Sequence, residues 1–302
     1  MKVIFVIINA MVTRRKPSAE AGEGDDEGND NQYVGSVARA LSVLTAFRAE
    51  DGPLGNAELA ERTQLTKPTV SRLTYTLARC GFLSFNQRYR VYELGPSVQA
   101  LGNIATAAMD VRRLARPLMR ELANHANFNV GLGMRDQHMM VYTDACEGEG
   151  LVGLRLFAGS RIPIVTSAMG RAYLAGLEPE EREALLLELR PSYGDDWPTL
   201  LKAVQNSVRE VAQNGFCVSV GEWQKDINGV AAPIRSPDGG RVYAINLGGP
   251  SYLLPESALR GELGARIAQV ARKVATSMAP KLHPVQTSVD AARDVTQKKA
   301  KR

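Results

Sequence analysis

The sequence predicts an α+β protein in two folded parts joined by a helix, and three observations carry that expectation. In AELAERTQLTKPTVSRLTYTLARCGFLSF, Ala57 to Phe85, two helix-like patterns abut across a gap of a few residues, and a hairpin pattern follows. After Asn127 the texture changes to alternating short β-like and α-like segments, the signature of a mixed domain. Between the two lies SVQALGNIATAAMDV, rich in small residues and alanine, as a connecting helix would be. The length of 302 residues suits two domains, and 44% apolar with 23% charged residues is an ordinary globular balance.

The chain begins MKVIFVIINAMV, whose apolar run Val3–Ile8 is far below the ~20 residues that span a bilayer. This start is expected either to be disordered or to precede a natural start at Met11. Residues 14–31, RRKPSAEAGEGDDEGNDN, lack bulky apolar side chains and cannot offset their ordering entropy, so disorder is expected over 1–31. A flexible basic tail, ending QKKAKR, is expected over 281–302.

Val37, Leu41, Leu44 and Phe47 recur at helical spacing and stop at Asp51-Gly52-Pro53. Asn56 is expected to cap the next helix, which turns at Gln64-Leu65-Thr66. The third helix starts with Pro68 in its first turn, buries Val70, Leu73 and Leu77, and ends at Gly81. Phe82–Phe85 and Tyr89–Tyr92 then read as strands about the turn Asn86–Arg88. Helix, helix, helix, hairpin over 32–95 is a winged helix-turn-helix pattern. A single long helical pattern follows from Val98 to Asn124, its first part a linker over 96–113.

In the second part, 114–280, strands are expected at Asn129–Met134, Met139–Asp144, Gly150–Phe157, Cys217–Val220, Val230–Ile234 and Arg241–Leu247. Helices are expected at Ser167–Ala175, Glu178–Arg190, Thr199–Asn214 and Pro255–Met278. Hairpin turns such as Pro237–Gly240 make the sheet mostly antiparallel.

Chemistry concentrates on the third helix. With Val70, Leu73 and Leu77 inward, Lys67, Pro68, Thr69, Ser71, Arg72 and Tyr75 fall on its free side or its N-terminal end. A helix fits the major groove of duplex DNA, where an arginine pairs bidentately with guanine and hydroxyls bond phosphate or base edges. The hairpin would be a wing, with Arg88 at its tip and Arg90 in its second strand. The bland alternative is a helical hairpin with a solvated polar face. Net charge is only +5, and Tyr33–Ser97 holds eight Lys/Arg against five acids, so affinity should need two readers in a dimer.

Enzyme signatures are missing: there is no GxSxG, HExxH, GxxxxGK[ST] or CxxC. Gly148–Gly153 has the letters GxGxxG without the helix that should follow. Cys80, Cys146 and Cys217 are scattered and expected as buried free thiols in a reducing cytoplasm, and His125, His138 and His283 have no partner at metal-ligand spacing. Neither a catalytic group, a metal nor a cofactor is expected.

SVARALSVLTAF, NAELAERTQLTKPTVSRLTYTLARCGFL and RVYELGPSVQALG together closely resemble the winged helix-turn-helix of the IclR family of bacterial transcriptional regulators. RRLARPLMRELA, IPIVTSAMGRAYLAGL, GVAAPI and AINLGGP resemble segments of that family's effector-binding domain, so the likeness runs from about Gly35 to Ala275. The resemblance implies a GAF/profilin-like effector-binding domain, a palindromic double-stranded DNA operator, a small-molecule effector, a homodimer or dimer of dimers, and no membrane. It places the effector among Leu151, Ala168, Met169, Ser219, Gly229, Asn246 and Gly248. Members with small carboxylate effectors carry an acid at Ser219, a cysteine at Gly229 and serines near Asn246 and Gly248, and this sequence departs at all four. An aromatic or other organic acid is therefore expected in place of a glyoxylate- or pyruvate-like ligand. Glu222, Trp223 and Asn228 in SVGEWQKDINGVAAP join the expected site, with plain core burial the alternative for Met169 and Trp223. Arg155 and Arg161 are read either as partners of an effector carboxylate or as solvated surface.

Overall fold

The computed structural model describes residues 33–48, 51–107, 109–149, 154, 156–237 and 240–278. The expected disordered segment, the basic tail, Leu151 and Arg155 lie outside them.

The first unit packs α1 (Gly35–Thr45), α2 (Asn56–Thr63) and α3 (Lys67–Arg79) against a small antiparallel sheet. That sheet is ordered β1 (Leu54–Gly55), β3 (Val91–Leu94), β2 (Leu83–Asn86). Its core holds Val43, Leu54, Leu59, Val70, Leu77, Leu83 and Tyr92. Removing each such side chain from water contributes about 1.5–3 kcal/mol, enough to fix a small unit whose other faces stay polar. Two expectations are corrected. Val37 and Leu41 of α1 are 54% and 55% exposed, with Val43 buried in their place. Asn56 is the first residue of α2 and caps nothing, because Gly55 occupies the cap position.

The wing is also shifted by a residue or two. Asn86 pairs Val91, so its loop is Gln87–Arg90 and Arg90 stands in the turn, not in the second strand. Arg90 adopts the left-handed conformation, φ 55°, and the Asn86 side chain accepts the N–H groups of Arg88 and Tyr89. That Asx-type turn takes the residues that the spacing had assigned to a strand.

The expected long helix divides into α4 (Pro96–Ala107) and α5 (Asp110–Ala126), with Met109 outside helical geometry at φ −93°, ψ 89°. No glycine or proline marks this break, so periodicity ran through it. Beyond it a six-stranded antiparallel sheet is ordered β6-β5-β4-β9-β8-β7. These strands are β4 (Asn129–Asp136), β5 (Met139–Cys146), β6 (Arg161–Pro163), β7 (Cys217–Val220), β8 (Ile227–Arg235) and β9 (Val242–Pro250). The expected strand over Gly150–Phe157 is not present among the described residues of that stretch, and β6 forms the edge in its place. The β8–β9 hairpin forms as expected, with Arg235 opposite Val242.

One sheet face is covered by α5, α9 (Glu256–Arg260) and α10 (Glu262–Met278). The other is covered by α6 (Ala168–Gly176), α7 (Pro179–Leu189) and α8 (Trp197–Asn214). The expected helix Pro255–Met278 is split at Gly261, whose ψ of −119° is not helical. Alternation along β8 sends Val230, Ala232 and Ile234 to the α5/α10 side and Ala231 to the α6 side. Cys146 and Cys217 are buried free thiols, but Cys80 is exposed where α3 ends. No described helix is long and apolar enough to cross a membrane.

Candidate functional site

The turn between α2 and α3 spans Gln64–Thr66. Gln64 takes the left-handed conformation, φ 59°, and its side-chain amide donates to the Glu61 carbonyl at 2.6 Å. Thr66 precedes α3, and its hydroxyl bonds that of Thr69 at 2.9 Å. The inward side of α3 is Val70, Thr74 and Leu77; Leu73, expected there, is only partly buried. Thr74 is fully buried, and its hydroxyl donates to Asn56 Oδ1 at 3.1 Å, tying the two helices at their crossing. A polar residue at a core position was missed because the apolar count alone placed the helix face.

The outward side carries Pro68, Ser71, Arg72, Tyr75 and Arg79, with Lys67 in the first turn; Tyr75 is 66% exposed. Thr69 is half-buried with its hydroxyl engaged by Thr66. The side chains of Lys67, Ser71, Arg72, Tyr75 and Arg79 have no hydrogen-bond or ion-pair partner among the described residues. Arg62 shows the contrast. It pairs Asp51 at 2.5 Å and Glu58 at 2.6 Å and donates to the Ala46 carbonyl, riveting α2 to the segment after α1. Burial raises the Asp51 carboxyl, but the Arg62 and Arg48 contacts outweigh it and hold that group below its ordinary range. At the wing tip Arg88 lies over the Tyr89 ring at 5.3 Å, and Arg90 is exposed beside it.

The end of α3 is fastened to the start of α4. Gly95 N–H donates to the Phe82 carbonyl at 2.8 Å, Ser97 N–H to the Gly81 carbonyl at 3.2 Å, and the Ser97 hydroxyl to the Cys80 carbonyl at 3.4 Å. Any side chain at Gly95 would collide with the Gly81 backbone, so this close approach needs glycine. α4 itself has no buried residue, and it exposes Leu101 and Ile104.

On the α6 side of the larger sheet, Tyr142, Leu154, Ile162, Ser167, Ala168, Ser219, Trp223, Ile227, Asn228, Gly229, Asn246 and Gly248 enclose a cavity of about 20 Å³. A second of about 10 Å³ shares Tyr142, Leu154, Asn246 and Gly248. Of the expected residues, Ala168, Ser219, Trp223, Asn228, Gly229, Asn246 and Gly248 are brought together here. Met169 is not among them; it is fully buried and packs on Gly133 as core. Glu222 is also outside the lining, because Arg171 holds it through two hydrogen bonds of 2.7 and 2.5 Å. Arg161 pairs Asp136 on the surface, so it does not reach the cavity.

Sequence reasoning missed Tyr142, Ser167, Ile162, Ile227 and Arg171. Gly131 was a signal for Tyr142, since a Cβ there would strike the Tyr142 ring and the Asn246 amide. Asn246 Nδ2 donates to the Tyr142 hydroxyl and Asn228 Nδ2 to the Leu254 carbonyl, each at 2.9 Å. The Oδ1 atoms of both amides are buried with no partner among the described residues. Burial raises the Tyr142 phenol, so it stays a neutral hydroxyl, and burial pushes the Cys217 thiol below α6 up to about 12. Ser167 accepts the Gly170 N–H as the α6 cap and donates to the Pro163 carbonyl, while Ser219 donates to the Thr166 carbonyl.

Cavities of this size hold a water or two, whereas a metabolite site needs about 300 Å³ or more. The site is therefore closed. Trp223 lies over it on the turn that begins at Gly221, φ 63°, and the neighbouring Glu222 is clamped by Arg171, which is 1% exposed.

Comparison with known proteins accounts for both units. The family model "IclR helix-turn-helix domain" matches residues 36–87, and "Bacterial transcriptional regulator IclR C-terminal" matches 104–276. The HTH-type transcriptional regulator TsaQ1/TsaQ2 of Comamonas testosteroni is 31% identical over 247 residues, 81% of this chain and 88% of that protein. The HTH-type transcriptional regulator KipR of Bacillus subtilis is 29% identical over 219 residues, 71% of this chain and 85% of its own length. The crystal structure of an IclR family transcriptional regulator from Brucella abortus superposes with a TM-score of 0.70 at 36% identity, covering 84% of this chain and 96% of that one.

Proposed function

The chain belongs to the IclR family of bacterial transcriptional regulators, and from that membership we propose that α3 reads a palindromic operator while the closed cavity senses a small organic acid. The observation that carries the reading is the unpartnered outward side of α3, where the Lys67, Ser71, Arg72 and Tyr75 side chains make no hydrogen bond or ion pair with a described residue. Residues that a fold needs are neutralised by it, as Arg62 is. In the major groove Arg72 takes a guanine edge, Ser71 and Thr69 take phosphate or base edges, and Lys67 meets phosphate beside the positive end of α3. Arg88 and Arg90 bring the wing tip to the adjacent backbone.

The effector is an aromatic or other organic acid. Its carboxylate sits at the first turn of α6, beside Ser167 and Ala168, where backbone N–H groups have no partner inside the helix. Trp223, Ile162, Ile227 and Leu154 supply apolar walls. The hydroxyls of Ser167 and Ser219 donate to backbone carbonyls, and that of Tyr142 accepts from Asn246, an arrangement that suits holding a ligand. Two copies pair through the exposed apolar stripes Val34, Val37 and Leu41 ahead of and on α1, and Leu101 and Ile104 on α4, as a homodimer or a dimer of dimers in the cytoplasm.

Nuclease footprinting of the DNA upstream of the gene, with and without aromatic acids, tests this. A protected inverted repeat whose protection changes with one acid, together with a raised melting temperature in that acid, is the expected result. Uniform protection of unrelated duplexes would contradict it.

A further inference from the structure

The first turns of a helix favour acids, because the aligned peptide dipoles leave them positive. α5 keeps one acid there, Asp110, but sets Arg112 and Arg113 in the same first turn, with Arg116 and Arg120 next along the same side. All four line one groove of about 590 Å³, together with Thr106, Ala107, Met109 and Pro117. Departures from local preference of this kind concentrate at functional positions.

Their compensation is incomplete. Arg113 pairs Asp110 at 3.1 Å, and Asp144 alone serves both Arg112 and Arg116. Arg112 Nε lies 3.1 Å from Asp144 Oδ2 without hydrogen-bond alignment, leaving that buried N–H unused. Arg120 donates to the Glu147 carbonyl at 3.1 Å and forms no ion pair with a described carboxylate. Four guanidiniums thus face two carboxylates. Asp144 reaches them because the β4–β5 register shifts between Leu132 and Gly133, leaving Thr143 as a bulge. Tyr142 before it faces the cavity, and Asp144 after it faces α5.

We infer that this groove is an anion site for a multivalent oxyanion of the phosphate class. Guanidiniums match such oxygens in pairs, and the volume admits a phosphorylated metabolite. The site lies on the sheet face opposite the cavity and borders the last turn of α4, so its occupant touches the joint between linker and sensor. It does not depend on the proposed effector.

The test is titration calorimetry of the full chain with pyrophosphate in low-salt buffer. Saturable binding is expected, weakened at least about tenfold in R113A/R120A, two residues that leave the buried Asp144 paired. R182A/R209A, which alters another arginine-lined groove between α7 and α8, should bind as the parent does. The salt dependence of binding to random duplex separates the sources. An unchanged slope in R113A/R120A assigns the site to a free anion, and a slope reduced by about one or two assigns it to a DNA phosphate. An adventitious, non-saturating heat with pyrophosphate, or equal binding by R113A/R120A, would overturn the site.

Discussion

On α3, Lys67, Arg72 and Arg79 point away from the fold with no described carboxylate beside them, while in the second unit Arg171 is buried and gripped by Glu222. The hydroxyls follow the same division. Ser71 is free, whereas Ser167 and Ser219 are spent on backbone carbonyls. A reader can stand open because its partner is a rigid duplex arriving from solvent, and water keeps its charges cheap until then. A cavity for a small molecule holds its polar groups out of water, so they are satisfied internally or left as the two orphan oxygens of Asn228 and Asn246. Under the proposed function, the difference separates recognition ready for use from recognition that needs a prior rearrangement.

The largest effect should come from severing the two regions. α4 is about 18 Å long and hydrogen-bonded to the end of α3 through Ser97, so it sets where the reader sits. Inserting two residues after Leu101 rotates everything beyond by about half a turn. The acid that raises the melting temperature should still do so, but its effect on operator affinity should vanish; an intact response in a mobility-shift titration breaks the link between the regions. A tenfold response corresponds to about 1.4 kcal/mol of coupling, so its loss is readily measured.

Single substitutions should then separate by region. Glu222→Ala leaves Arg171 charged and buried without its carboxylate, and should lower stability in chemical denaturation by about 1.5–3 kcal/mol. Arg72→Ala should leave stability within about 0.5 kcal/mol. It should cost about 1–3 kcal/mol of discrimination between operator and random duplex, read by fluorescence anisotropy. A destabilised Arg72→Ala, or an unaffected Glu222→Ala, would mean that the free and clamped arginines have been assigned the wrong way round.

The smallest effect concerns the Arg62–Asp51 pair that fastens α2 to the segment after α1. Asp51 is held below its ordinary carboxyl value of 3.8, so its contribution is present above that value and is lost as pH falls through the lower folded-state value. Asp51→Asn should therefore flatten the acid limb of the melting curve below about pH 4. A parallel curve would show that Arg62 is as unneeded by the fold as Arg72.

Much of the reader was legible in the sequence because it is local. Pro68, the three-residue turn and Gly81 bracket α3 within a few residues of one another, and each has a backbone reason to be there. What was misread there involved side chains reaching across: Thr74 buried on Asn56, and Asn86 closing the wing turn so that Arg90 moved out of its strand. Family likeness supplied Ser219, Gly229 and Asn246 of the cavity, and the polar and aromatic cluster in SVGEWQKDINGVAAP supplied Trp223 and Asn228, in each case without their partners. Tyr142 arrives from a strand 104 residues from Asn246, and Arg171 reaches 51 residues to Glu222. Periodicity describes one segment at a time, so it had no means of showing either pair or the closure they produce.

The most direct measurement is the anisotropy of the wild-type chain titrated onto its own upstream promoter fragment and onto random duplex, at about 0.15 M salt. A preference of about a thousandfold or more for one inverted repeat is expected, sharply reduced by Arg72→Ala. Equal affinity for both duplexes, untouched by that substitution, would contradict the assignment of α3 as the reader.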